Sequence, residues 1–296
     1  NDSGTLNLEC VSDLTRHQKA VNVVRFSPSG EFLASGDDES TIIIWRQRCE
    51  SDAPELPGAI EEDKEHWMQF KVFRGHLNDV YDLAWCHDSS KLISGSVDNT
   101  AVVWDVHKGK KLAVLADHKN FVQGVAWDPK NQYLATMSSD GKSTDIGTAT
   151  SNESGTTEQA ANTTSKAPPV PRLFHDDTLK TFYRRLTFTP DGELLIVPAG
   201  VLEPPSSAPS SAKPTNATWC RPVMYYPTLK ESSMVVRCCP LLFTLRTGQN
   251  SIMTLPYRVV VAVATKSAIL LYDTQHAVPI ALISNIHYTK LTDLSW

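Results

Sequence analysis

A 29-residue block occurs twice in this chain without a gap, at an offset of 59. His17–Trp45 reads HQKAVNVVRFSPSGEFLASGDDESTIIIW, and His76–Trp104 reads HLNDVYDLAWCHDSSKLISGSVDNTAVVW. His17 meets His76, Val21 meets Val80, Phe26 meets Trp85, Gly36 meets Gly95 and Trp45 meets Trp104. A third copy begins at His118, with Val122, Trp127, Leu134 and Asp140 in register. Partial copies follow: residues 186–192 repeat 24–30, residues 258–273 read as two strands around a polar turn, and residues 291–296 repeat the first strand of 80–85 and 122–127. Within each copy, apolar residues alternate or run in short β-branched groups, and Gly, Asp, Asn and Ser punctuate them. That pattern predicts one strand per run and about four strands per unit. A unit of this size cannot bury both faces alone, so an all-β array of radially stacked units is expected.

The pairs Gly75-His76 and Trp104-Asp105 resemble the WD40 repeat family. The resemblance implies a β-propeller, here most of a seven-bladed ring with blades missing at both ends. It also gives particular residues structural tasks: His76 before the innermost strand, Asp98 in the hairpin after the second strand, Trp104 on the third strand, and Ser94 or Ser96 completing their hydrogen-bond network. His17, Trp45, His118 and Asp140 hold the matching places in the other copies. Glu39 stands where the first copy would carry its Asp, so a weaker network is expected there. A partly buried His–Asp hydrogen bond is charge-assisted and locks a blade, which makes these fold residues rather than catalytic ones.

One partial propeller spans 1–296 with three interruptions. Residues 49–65 form an acidic loop containing Glu50, Asp52, Glu55, Glu61, Glu62, Asp63 and Glu65. Residues 143–171 are rich in Ser and Thr, and 203–214 in Pro and Ser; both read as disordered. Ser143–Gly147 does not look like Ala101–Trp104, so two strands of the third blade are expected to be missing. The chain stops in mid-repeat and reads as a piece of a longer protein. Missing blades should leave unpaired strand edges, with aggregation or binding of hydrophobic dyes as the consequence.

Catalytic and cofactor chemistry finds little support. Asp140-Gly-Lys-Ser143 lacks the first Gly of a phosphate loop, since Thr136 stands there. His175-Asp176-Asp177 are consecutive and suit a turn or helix cap better than a metal. The six cysteines lack zinc-site spacing, and no G-x-S-x-G or H-E-x-x-H is present. No apolar run reaches membrane-spanning length. The net charge of −5 offers no basic field for nucleic acid, and sequence-specific binding to it is not expected. A mildly acidic surface suits a basic partner. No enzyme, cofactor or metal site is expected.

Several blocks are more distinctive than the repeats: 17–28, 74–82, 121–129, 174–186, 236–240, 255–257, 271–275 and 284–288. Together they resemble the WD40 middle-subunit family of chromatin assembly factor 1, from Leu6 to Trp296 outside the two Ser-rich insertions. The blocks 174–186 (FHDDTLKTFYRRL) and 284–288 (SNIHY) make the resemblance specific. It implies a nuclear, non-catalytic histone chaperone subunit whose complex deposits histones H3–H4 on DNA during replication and repair. The implied partners are the large subunit of the factor, histones H3–H4, and the anti-silencing histone chaperone through a C-terminal tail outside this chain. Alternatives are the replication-independent chaperone of the histone regulator A type, a ubiquitin-ligase substrate receptor, and a glycosylated extracellular propeller.

The block 174–186 interrupts the repeat pattern. Asp176 or Asp177 can cap a short helix, on which Leu179, Phe182, Tyr183 and Leu186 form an apolar stripe with Lys180, Arg184 and Arg185 beside it. Such a stripe packs on the propeller rim or docks the large subunit. In the second case Phe174, His175, Asp176, Asp177, Phe182, Arg184 and Arg185 are the candidate contact residues.

Overall fold

A computed structural model describes residues 9–48, 64–140, 143–147, 174–201, 222–228, 231–248 and 251–296. Nearly all of the acidic loop and most of both Ser-rich insertions lie outside the described residues. Every regular element among the described residues is a strand. The first sheet is the meander β1 (Val21–Phe26), β2 (Phe32–Asp37), β3 (Thr41–Gln47) and β4 (Trp67–Arg74). The second is β5 (Val80–Trp85), β6 (Lys91–Ser96), β7 (Ala101–Asp105) and β8 (Lys110–Leu115). Three strands follow in the third, β9 (Val122–Trp127), β10 (Tyr133–Ser138) and β11 (Ser143–Gly147), and two in the fourth, β12 (Thr187–Phe188) and β13 (Leu195–Ile196). The fifth sheet comprises β14 (Val235–Phe243), β15 (Arg258–Ala264), β16 (Ala268–Asp273) and β17 (His276–Ser284). All pairings within these sheets are antiparallel.

Of the two strands expected to be missing from the third sheet, one is present, and the sheet has three strands among the described residues. β11 pairs with β10 from Tyr133↔Gly147 to Met137↔Ser143. Its sequence lacks the β-branched run of β7, but ladder hydrogen bonds come from the backbone, which any non-proline residue supplies. The insertion therefore begins beyond Gly147 rather than at Ser143.

The repeated turns have a common backbone requirement. The residue closing the first hairpin has positive φ in four sheets: Gly30 (75°), Ser89 (61°), Asn131 (56°) and Gly192 (68°). Gly takes this region without a Cβ penalty and Asn is enriched in it, while Ser89 adopts it against the ordinary preference of a non-glycine residue. Ser40 (59°) and Asn99 (69°) do the same for the second hairpin of the first two sheets.

The main cores lie between neighbouring sheets, and a smaller cluster of Leu33, Ile43 and Trp45 lies within the first. Phe32, Ile42, Ile44 and Phe73 of the first sheet pack with Leu83, Trp85, Leu92 and Trp104 of the second. Ile93 and Val103 then meet Val122, Val125 and Trp127, and Ala135 and Met137 meet Leu186 and Phe188. The first strands β1, β5, β9, β12 and β14 contact one another in succession. Residues 285–296 form no strand, yet Leu291 is buried against Met234, Val235 and Ala264 of the fifth sheet. The outer face of β1 differs from its counterparts: Val21, Val24 and Phe26 are 44%, 48% and 63% exposed, whereas Val80, Leu83 and Trp85 are 0%, 1% and 8% exposed.

Candidate protein-docking site

Each of the first three sheets carries a buried polar network at the same place. His76 Nδ1 donates to Asp98 Oδ2 at 2.9 Å, and its Nε2 lies 2.6 Å from Ser94 Oγ, which also accepts the indole N–H of Trp104 at 2.8 Å. Asp98 accepts further bonds from the backbone N–H groups of Leu77 and Thr100 (both 2.9 Å) and from the Thr100 hydroxyl (2.6 Å). Ser94 is the hydroxyl that completes this network. Ser96 instead donates to the Asn78 carbonyl and accepts from Asp98 N–H.

The first copy is not weakened by Glu39. His17 Nδ1 pairs with Asp37 Oδ2 at 2.6 Å, and Ser35 Oγ joins His17 Nε2 (2.6 Å) to Trp45 Nε1 (2.8 Å). Asp37 sits two residues before the aligned position and still reaches the histidine, while its Oδ1 accepts from Glu39 N–H and Thr41 N–H. In the third copy His118 bonds Asp140 (3.1 Å) and Thr136 Oγ1 (2.8 Å).

Burial alone would raise the Asp98 carboxyl, but the hydrogen bonds from His76, Thr100 and Leu77 outweigh it and hold it far below the usual carboxylate range. A depressed folded-state pKa adds stability above the unfolded value of about 4 and loses it as pH falls toward the folded value. Asp98→Asn should therefore destabilise by about 1–3 kcal/mol near neutral pH. Thermal melts of the two proteins should converge as pH drops below about 4. A gap that persists undiminished in acid would show that Asp98 does not act through its charge.

The block 174–186 does not form a helix. Asp176 Oδ1 accepts from Thr178 N–H (3.1 Å) and the Thr178 hydroxyl (2.6 Å), capping a single turn closed by Leu179 N–H on the Asp176 carbonyl. Beyond it the backbone extends into β12, so neighbouring side chains point opposite ways instead of forming a stripe. Phe182 is exposed, Tyr183 lies edge-on to Tyr81, and Arg184, Arg185 and Leu186 are buried. The two arginines are thus internal, not solvated flanks.

Arg184 donates to the His175 carbonyl and, at 2.5 Å, to the Asp176 carbonyl, stapling the loop from beneath. A side chain on Gly124 would run into the Arg184 carbonyl, so this crossing requires glycine. Arg185 reaches across the inner strands: its guanidinium donates to the Asn22 (2.8 Å) and Tyr81 (3.2 Å) carbonyls, lies 4.3 Å from the Tyr183 ring centre, and pairs with Asp293 and Asp82. Arg25 bridges the same two carboxylates, at 3.0 Å from Asp82 and 2.5 Å from Asp293, and Arg237 bonds Asp293 at 3.2 Å.

Three guanidiniums thus meet two carboxylates between the first strands. Burial pushes Arg185 down, with Asp82 opposing it, and burial with Arg25 pushes Arg237 down to about 10. Burial would raise Asp293, but Arg25, Arg185 and Arg237 hold it low. The repeat pattern alone did not reveal this cluster. Its signal was that Asp82, on β5, and Asp293, in the strandless segment 285–296, share one repeat position, each an acid just before a leucine.

Above this cluster, Phe174 bridges Gly200, and His175, Asp176 and Asp177 run along the loop toward exposed Phe182. The candidate contact residues Phe174, His175, Asp176, Asp177 and Phe182 therefore share one loop, which Arg184 supports from inside, while Arg185 belongs to the charge cluster between the first strands. Phe121 and Leu77 are exposed on neighbouring loops.

Meandering sheets that stack through their first strands, each of the first three locked by a His–Asp–hydroxyl network, define a WD40 β-propeller. A solved structure of U3-55K superposes with a TM-score of 0.54 at 15% identity, over 92% of this chain and 66% of that one. The chain belongs to the CAF1B/HIR1 β-propeller family, whose model matches residues 1–296. It is 42% identical to the B subunit of chromatin assembly factor 1 from Gallus gallus, over 99% of this chain and 55% of that protein. It is 31% identical to the Saccharomyces cerevisiae protein of the same name, over 98% of this chain and 69% of that one. Identity to Protein HIR1 of Kluyveromyces lactis is 27%, over 97% of this chain and 33% of that protein. The chain spans about half the length of the Gallus gallus relative.

Proposed function

We propose that this chain is the non-catalytic WD40 scaffold of a chromatin assembly factor 1 complex, acting in the nucleus to help deposit histones H3–H4 on DNA during replication and repair. The observation that carries this reading is the similarity along 99% of the chain to a chromatin assembly factor 1 relative at 42%, against 27% for the HIR1 relative from Kluyveromyces lactis. Its partners are the large subunit, histones H3–H4 and, through a tail outside these residues, the anti-silencing histone chaperone. The mildly acidic balance of the chain suits a basic partner. A replication extract depleted of the endogenous subunit should regain nucleosome assembly on newly copied DNA when the full-length protein is added back. Recovery of assembly only on unreplicated DNA would favour the HIR1-like alternative.

The loop 174–182 is the surface we assign to the large subunit. Charge reversal of Arg184 and Arg185 cannot test this, because both are internal. Phe182→Ser combined with Asp177→Lys changes exposed side chains only. That variant should melt like wild type and bind the large subunit at least about tenfold more weakly, the usual cost of losing an aromatic anchor. Unchanged pull-down would remove the loop from the interface.

A further inference from the structure

A groove of about 650 Å³ opens on the outer rim between the first two sheets. Phe73 and Trp104 form its floor, their rings stacked at 5.0 Å, and its walls come from β4 and the start of β8. β4 and β8 are the last strands of their meanders, each paired on one side only among the described residues. The walls carry Arg74, Lys110 and Lys111, all exposed. Two further lysines flank them. Lys71 approaches Gly109, whose positive φ (68°) turns the chain between β7 and β8, and the Lys108 side chain is 73% exposed.

Charge is segregated here. The chain holds 33 Asp or Glu against 28 Lys or Arg, for a net charge of −5, yet residues 66–75 and 106–115 contain five Lys or Arg and no Asp or Glu. None of the residues lining the groove is an acid. Lys108 lies 3.5 Å from Asp105, while Arg74 and Lys110 have no ion-pair partner among the described residues. Lys111 Nζ donates to the Gly75 carbonyl at 3.1 Å and lies 6.0 Å from the Trp104 ring centre, which leaves two of its three N–H donors for a ligand. Charged residues on an edge strand also discourage edge-to-edge pairing. Either sign would serve that purpose, and this chain has more acids than bases; a single sign on both strands is what selects an anion.

We infer that the groove is a docking site for an acidic, extended segment of a partner protein, its carboxylates set against Arg74, Lys110 and Lys111. A nucleic acid suits it less. The Phe73 and Trp104 rings are 1% and 2% exposed, so no base can stack on them, and the net charge of −5 opposes a long polyanion. An acidic peptide needs only the local charge, and Gln69 and Val72 of the lining offer a hydrogen bond and an apolar contact to the residues between its carboxylates. The groove shares no residue with loop 174–182, so it stands or falls independently of the surface assigned to the large subunit.

The test is fluorescence anisotropy with the full-length protein and a labelled octapeptide of alternating glutamate and serine. Binding should be seen, and it should weaken as salt rises. The matching lysine–serine peptide should not bind, and an oligothymidylate of equal charge should bind more weakly than the glutamate peptide. Arg74→Glu with Lys110→Glu alters exposed side chains that hold no ion pair, so the melting temperature should stay while affinity for the glutamate peptide falls about tenfold or more, because two attractions of the size usual for exposed charges become repulsions. Should reversal disturb the strands, Arg74→Gln with Lys110→Gln should still lose about threefold or more. No binding of the glutamate peptide, equal binding of the lysine peptide, equal or tighter binding of the oligothymidylate, or full affinity in a folded variant would each overturn the inference. Binding that appears only once the acids of residues 49–63 are changed to serine would give the groove to this chain's own acidic loop and would overturn the partner as well.

Discussion

Arg185→Glu should abolish the cooperative thermal transition of the propeller. The guanidinium is 1% exposed and makes contacts no glutamate can replace: two carbonyl acceptors on β1 and β5, the Tyr183 face, and the pair of carboxylates Asp82 and Asp293. Reversal would set three carboxylates against two arginines in a buried space and leave both carbonyls unpaired. Breaking a buried ion pair by removing one partner costs about 3–5 kcal/mol. The added repulsion brings the loss close to the total stability of about 5–15 kcal/mol typical of a folded protein. Arg185→Lys keeps the charge but loses the planar fork that serves two carbonyls and two acids at once, so it should fall between the extremes. Circular dichroism melts would show this directly. An Arg185→Glu protein melting within about 2 °C of wild type would mean that the cluster contributes little to the fold.

Trp85→Ala and Phe26→Ala alter the same repeat position and should differ by several-fold in effect. Trp85 is buried between the first two sheets, lies parallel to Phe32 with ring centres 6.2 Å apart, and donates its indole N–H to the Arg25 carbonyl at 2.9 Å. Its removal leaves a cavity and an unpaired carbonyl, a loss of about 3–5 kcal/mol. Phe26 lies on the exposed outer face of β1 and touches Trp67 edge-on. Its truncation in the 296-residue chain should cost no more than about 1 kcal/mol, as for other exposed sites. The same face should bind a hydrophobic dye, and Phe26→Ala should reduce that signal. Equal destabilisation by the two substitutions would show that β1 is covered in solution.

The repeat made much of the fold legible. Strand positions follow from alternation and β-branched runs, and hairpin positions from Gly30, Asn131 and Gly192, residue types suited to positive φ, with Ser89 in the equivalent place. Other features depended on where backbones pass in space. Which of Ser94 and Ser96 meets the histidine depends on the face each presents, and Asp37 replaces the aligned Glu39 because a carboxylate two residues earlier reaches the same nitrogen. Residues 174–186 looked helical because aromatic and apolar residues fell at a spacing of three and four. Extended backbone gave those residues other neighbours, and tertiary pairing of Arg184 and Arg185 with distant carbonyls outweighed the local pattern. The central cluster joins residues 25, 82, 185, 237 and 293, separations over which local sequence carries no pairing information.

Membership of a chromatin assembly factor 1 complex can be decided by affinity purification of the tagged full-length protein from nuclei of replicating cells, read by mass spectrometry. Stoichiometric recovery of the large subunit of the factor, together with histones H3 and H4, is the expected result. Recovery instead of HIR-complex components or of a ubiquitin-ligase adaptor, with the large subunit absent, would contradict that membership.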